Sequence, residues 1–395
     1  EFETRADRGY TLAPRGLWTL GRAKANEKLN QIDVIQSING VDTTFIQQDV
    51  YNNVNGTESF YERIRADLGL GLNEFVDFDA LSPDQLQISY FDAVDLVDNS
   101  LLGSFYGYDY TGKKFSGNPT FQDFFTQKNA NGTYKREIGA FRPTYMAGYI
   151  QDKFAIESLV FNVGLRIDRF DANQKTLKDK YLLNEAYTVG NYPVAITNKP
   201  GNIGDDFVPY VGSDDLTNVV GYRDGDVWYD AQGEIVSDPD ILAQLTTSGT
   251  ILPALVDPGT VGTEDWEIEK VFEDYEPQFS IMPRIAFSFP ISDEALFFAH
   301  YDVLTQRPSG RLRTDPLEYL ALRTNPDAEI NNGGLLPEKT TDYEVGFRQT
   351  LSKSSALTIS AFYRELSNMI QVRKIYSAYP NTYRSYDNID FGTVK

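Results

Sequence analysis

The sequence predicts an all-β chain: part of an antiparallel transmembrane β-barrel with long extracellular loops. Two features predict it. Segments of about ten residues alternate between apolar and polar side chains, the period of a strand with one greasy and one wet face. The links between these segments are also unequal, short at one end and very long at the other. A third observation fits them. No run of about 18 apolar residues is present to make a membrane helix, and barrels escape hydropathy because only alternate strand residues face lipid.

Residues 1–136 are the least regular part. Gly16–Leu29 (GLWTLGRAKANEKL) and Asn30–Ile38 are read as two strands with a polar linker. Leu81–Phe125, rich in Asp, Tyr and Gly, is read as loop with turn punctuation. The expectation for 1–136 is one or more barrel strands plus a long extracellular loop.

Residues 137–170 hold the clearest hairpin. Leu159, Phe161, Val163, Leu165 and Ile167 fall on one face, and Asn162, Gly164, Arg166 and Asp168 on the other. The apolar face stays uncharged over roughly the 9–11 residues that a tilted strand needs to cross a bilayer. Pro143–Phe154 is its partner, through a turn at Ala155–Ser158.

Residues 171–276 make a link too long to be structureless in a compact protein. NYPVAI, DDFVPYVG and VGYRDGDVWYDAQGEIV predict short hairpins, and DILAQLTTSG a turn or two of helix. A folded extracellular lobe that helps roof the pore is expected.

Residues 277–395 repeat the hairpin design. Phe279–Phe289 sets Ile285, Phe287 and Phe289 against Arg284, Ala286 and Ser288. After the turn Pro290–Glu294, Leu296–Thr305 sets Phe297, Ala299, Tyr301 and Val303 against Phe298, His300 and Asp302. Asp342–Leu351 sets Tyr343, Val345 and Phe347 against Glu344, Gly346 and Arg348. The turn Ser352–Ser355 then leads to Leu357–Arg364. Turns of about four or five residues are usual for hairpins, whereas Gln306–Leu336 and Gln371–Tyr386 are long links. Short turns at one end and long loops at the other are the pattern of outer-membrane barrels.

Composition narrows the partners. Net charge is −21, from 57 acidic and 36 basic residues, which would repel nucleic acid. The acidic residues concentrate in the long links. Cysteine is absent, so no disulfide or thiolate site exists. The 25 Tyr and 25 Phe read equally as ordinary strand residues or as the aromatic girdles of a barrel.

Candidate chemistry is sparse. Asp224-Gly-Asp-Val-Trp-Tyr-Asp230 has a superficial calcium-loop look, but Trp228 occupies the third ligand position, so a turn-rich hairpin is the stronger reading. His300, the single histidine, sits in a strand beside Asp302, where a lumen-facing polar role outweighs catalysis or haem ligation. The pairs Asp205-Asp206, Asp214-Asp215 and Glu264-Asp265 read as acidic loop, and Asn55-Gly56-Thr57 and Asn131-Gly132-Thr133 as turns. Arg166, Arg284, Arg348 and Arg364 are placed on the wet face, holding polar lumen networks. No enzymatic activity is expected. No catalytic, cofactor-binding or metal residue is assigned, and substrate-binding residues are not legible.

YIQDKF (149–154), FNVGLRIDRFDANQ (161–174), MPRIAFSFPI (282–291) and LLPEKTTDYEVGFRQTL (335–351) resemble the TonB-dependent receptors of Gram-negative outer membranes. GLRIDRFDANQ with GYRDGDVWYDAQG (221–233) most resembles the Oar-like receptors of Bacteroidetes. The resemblance implies a barrel of about 22 strands, a plug domain outside this chain, and TonB-driven uptake of a peptide, oligosaccharide or similar ligand. Its partners would be outer-membrane lipid, the TonB complex and other surface proteins. A receptor-like barrel serving as scaffold of a secretion or assembly complex is the alternative. Both ends, EFETRADRGY and NIDFGTVK, read as cut. An open sheet edge is costly in lipid, so the expectation is a piece of a longer barrel polypeptide.

Overall fold

The computed structural model describes the chain apart from residues 39–40, 53–58, 99–101, 213–214, 262–265, 323–324, 326, 391 and 395, and apart from the side chains of 34–46 and 392–394. The chain divides into two compact units: Glu1–Arg5 with Arg142–Lys395, and Ala6–Phe141.

In the first unit the alternating segments form the strands of one sheet. They are β1 (Phe2–Thr4), β2 (Thr144–Ile156), β3 (Leu159–Asp171), β4 (Gln278–Pro290), β5 (Ala295–Gln306), β6 (Glu338–Ser352), β7 (Ser355–Ser367) and β8 (Gly392–Val394). Each pairs antiparallel with its sequence neighbour in this set, so the sheet is an eight-stranded meander. The six long strands run 12–15 residues, enough to cross a bilayer at a tilt.

Two turns are tighter than the sequence suggests. β2 and β3 are joined by Glu157 and Ser158 alone, with Glu157 in the left-handed region at φ 54°. β6 and β7 are joined by Lys353 and Ser354. The strands run on through residues assigned to the turns because two-residue loops match the twist of paired strands.

Within the first unit the opposite strand ends carry three long connections, each of them folded. Residues 172–277 contain a five-stranded sheet built from Val208–Val211, Val219–Asp224, Val227–Asp230, Ile235–Val236 and Leu252–Pro253. Ile203, Phe207 and Tyr222 form a small core beside it, and Asp240–Gln244 is a single short helix. Residues 307–337 supply the helix Pro316–Leu322 and the strand Glu329–Ile330. Residues 368–391 form the hairpin Met369–Ile375 with Tyr383–Ile389, which Glu329–Ile330 joins in parallel.

The second unit corrects two expectations. Pro14–Lys24 is a helix where a strand was expected, with Pro14 at its first turn and Arg22 and Lys24 in its last. Pro at that position suits a helix start, and cations near a helix C-terminus are favourable. Asn30–Ile38 is a strand as read, within the hairpin Leu29–Ile38 and Val41–Tyr51. Leu81–Phe125 is not plain loop. It carries the helices Ala93–Val97 and Phe121–Thr126 and the strand Gly103–Tyr106. Phe91, Leu96, Phe105 and Phe124 are buried there with Phe60, Tyr61 and Ile64. Arg65 is fully buried within this unit, its guanidinium donating to the carbonyls of Ala25, Tyr61 and Glu74 and to Asn26 Oδ1.

Candidate functional site: the two faces of the sheet and the folded connections

Register sorts the side chains of the sheet into rows. On one face Phe154, Phe161, Phe287, Ala299, Val345 and Ala361 stand side by side. The next row holds Val163, Ile285, Tyr301, Tyr343 and Tyr363, with successive tyrosine rings 5.0 and 5.9 Å apart. Ile150, Leu165, Ile281 and Ile359 on this face are exposed. A contiguous apolar surface of this extent is what lipid covers. Asp152, in the row of Val163, is a charged departure, and Arg169 and Glu365 are others toward the long-connection end.

The other face is polar, as read. One row runs Gln151, Gly164, Arg284, Asp302, Asp342, Arg364. Arg364 donates from Nε and Nη2 to Asp342 Oδ2 at 3.2 and 2.5 Å. The row below places His300 opposite Glu344, with Nε2 and Oε2 3.7 Å apart. His300 is therefore a polar wall residue whose neighbour is Glu344; Asp302 lies two positions along its own strand. Arg348 stands between Leu296 and Thr358. Phe170, Phe298 and Phe362 interrupt this face. Phe298 lies against its cross-strand partner Gly346, where a Cβ would collide with the ring, and Phe362 is half exposed.

Toward the long-connection end, the polar face opens into a cavity of about 320 Å³, lined by Tyr145, Arg166, Asp168, Ser280, Gln306 and Arg307 among others. Tyr145 Oη donates to Asp168 Oδ2 at 2.5 Å and accepts from Arg166 Nη2 at 2.6 Å. The Arg307 guanidinium stacks 4.5 Å from the Tyr145 ring and donates to Glu3 at 3.2 Å. These side chains are bonded to one another along the wall.

Above the strand ends, the connections are bonded to each other. Gln174 Nε2 donates to Leu312 O at 2.7 Å, and Thr314 N donates to Gln174 Oε1 at 3.0 Å. Leu183 N reaches Tyr379 O at 3.0 Å, while Tyr379 N reaches Tyr181 O at 2.9 Å. Ser385 Oγ donates to Ile330 O at 3.1 Å and Asn332 Nδ2 to Tyr386 O at 2.9 Å.

The segment with a calcium-loop look is a hairpin turned at Gly225 (φ 52°) and Asp226. The Asp226 carboxylate is taken by Lys180 at 2.9 Å, Arg373 at 3.3 Å and Tyr181 Oη at 3.0 Å. Burial pushes its pKa up, but these cations and hydrogen bonds outweigh it and hold the group below the usual carboxylate range. Asp230 caps the next turn, accepting from the backbone N–H of Gln232 and Glu234. Among the described residues, no group of three or more His, Asp or Glu is placed to hold a metal ion.

Glu318 is the most perturbed acid of the connections. Burial raises it to about 8, Asp315 adds to the rise, and the hydrogen bond from Asn331 N only partly offsets it. Sequence offered no signal for this, because a lone Glu in a polar link reads as exposed. Asn131-Gly132-Thr133 is a turn as read, with Asn131 Oδ1 accepting from Thr133 N and Oγ1. Asn55, Asp214, Glu264 and Asp265 lie outside the described residues. Asp205 pairs with Lys199 at 2.8 Å on an open surface. No helix among the described residues is long and apolar enough to cross a membrane, which leaves strands untouched.

Such a sheet, greasy on one side, polar on the other and turned tightly at one end, is a run of consecutive strands of a transmembrane β-barrel. Residues 254–395 match the family model described as TonB dependent receptor-like, beta-barrel. Over these residues the chain is similar to TonB-dependent receptor-like barrels. No curated protein matches the chain. Among solved structures it is similar to the Serratia marcescens hemophore receptor HasR, solved with its hemophore HasA and heme, at 14% identity and TM-score 0.32, over 63% of this chain and 30% of that one. It is also similar to the alcaligin outer-membrane receptor FauA of Bordetella pertussis, at 12% identity and TM-score 0.26, over 64% and 25%. The FrpB iron transporter of Neisseria meningitidis gives 13% identity and TM-score 0.28, over 63% and 22%. Likenesses of this size carry no argument about function, and the chain spans less than a third of the length of each.

Proposed function

We propose that this chain is the barrel portion of an outer-membrane receptor that takes up a ligand by TonB-dependent transport. The observation that carries the reading is the two-faced meander, joined to the family match over 254–395. The apolar rows face outer-membrane lipid, the polar rows face the lumen, and the long connections face the medium and roof the pore. Coupling to TonB runs through a plug domain outside this chain. The mixed donors and acceptors of the cavity beside Tyr145 suit a polar ligand such as a peptide or oligosaccharide, as expected of an Oar-like receptor.

A second reading is a scaffold within an outer-membrane secretion or assembly complex. The folded state of the connections favours it, since a packed lobe with its own core offers a fixed docking surface. Native purification of the full-length protein, with mass spectrometry of what accompanies it, separates the two. A bound peptide or glycan without stoichiometric proteins supports the receptor. A fixed set of outer-membrane proteins around an empty lumen supports the scaffold and overturns the first reading.

A further inference from the structure

Loops over a pore are commonly pictured as separate flaps. The bonding here contradicts that picture. Lys180 Nζ lies 2.9 Å from Asp226 in its own connection and 3.0 Å from Asp387 in the connection 368–391. Arg373 of that last connection reaches the same two carboxylates, each at 3.3 Å. Two cations and two anions thus alternate around one point, and neither connection completes the set alone. Tyr383, almost fully buried, adds a bond from its Oη to Lys180 O at 2.5 Å.

The middle connection is fastened to both others. Glu329–Ile330 pairs in parallel with Arg384–Ser385, and Asn381 Nδ2 donates to Leu322 O at 3.2 Å. On its other side Gln174 is gripped by Leu312 and Thr314, Thr314 Oγ1 donates to Lys175 O at 2.5 Å, and the Phe272 and Tyr319 rings meet edge-on at 5.0 Å. Each connection therefore bonds directly to the other two.

We propose that the described residues of 172–277, 307–337 and 368–390 form one interlocked lid that opens and closes as a single body, keyed by the Lys180, Asp226, Arg373 and Asp387 quartet. A flap freed by itself would strand hydrogen-bonding groups in both neighbours, including buried carbonyls that water cannot reach without wider opening. The lid stands whether the barrel imports a ligand or anchors partners, because its bonds involve neither.

Hydrogen exchange with mass spectrometry on the full-length protein in lipid nanodiscs tests this. The K180A/R373A double variant should raise exchange about tenfold in all three connections together, including around Ala328 and Ile330, while β3 and β4 stay protected. Should that variant fail to insert, Y383F removes a single bond and should give a smaller rise, about threefold, again in all three. A rise confined to the residues around 180, 226, 373 and 387, with 307–337 unchanged, would overturn the lid as a single body.

Discussion

The ring of Phe298 occupies the space that a side chain at its cross-strand partner Gly346 would need. An aromatic laid over a strand glycine covers backbone that would otherwise be open and fixes local register. Gly346→Ala should therefore destabilise the barrel by about 1–3 kcal/mol, the usual range for overpacking. In a Phe298→Ala background the same change should be near neutral. Urea titration of the full-length protein in vesicles measures both. Equal costs in the two backgrounds would mean that the ring is not the obstacle.

Facing can be tested at adjacent positions. Val163 and Leu165 are each 38% exposed on the apolar face, whereas Asn162 lies on the polar one and accepts a hydrogen bond from Gln151. Val163→Arg or Leu165→Arg should cost about 2–4 kcal/mol near the bilayer midplane. Asn162→Arg should be mild. If vesicle insertion tolerates all three alike, the assignment of faces fails.

Glu318 makes lid stability depend on pH. Its folded pKa, raised to about 8 by burial, lies above the ordinary 4.5. The folded state thus holds a proton that the unfolded state releases, and stability falls as pH rises from about 4.5 to about 8. Protease protection of residues 307–337 should be greater at pH 5 than at pH 9. Glu318→Gln keeps an acceptor for Asn331 N and should flatten the profile. A profile unchanged by Gln would assign the pH response to another group.

Arg65 organises the unit Ala6–Phe141 from its centre. Arg65→Met would leave the carbonyls of Ala25 and Glu74 without their buried donor, at about 1–3 kcal/mol each. Arg65→Lys should recover little, because an ammonium lacks the planar fork that spans these acceptors. Limited proteolysis of the full chain should show residues 6–141 cut faster in both variants while 142–395 keep their pattern. Full rescue by Lys would reduce Arg65 to a point charge.

The sheet was legible because a period of two, sustained over Leu159–Ile167 or Phe279–Phe289, has no other structural reading, and register follows from it. Pro14–Lys24 was not, since Leu17, Trp18 and Leu20 fit either a short strand or a helix, and packing in the unit decided between them. The interlock of the connections left no trace either. Lys180 and Asp387 meet only in three dimensions, and each alone looks like an ordinary surface charge.

Strand β1 also bears on how the protein assembles. Phe2 pairs with Met146, far along the chain, whereas β2 and β3 meet across a two-residue turn. Chain closure over that span carries an entropy cost that grows with the logarithm of its length, and contacts of high sequence separation form slowly. The hairpins from β2 to β7 therefore zip first, and their exposed leading edge at Thr144–Met146 becomes the template on which β1 is captured last. Assembly of this run of strands would then be timed by the pairing of β1 with β2.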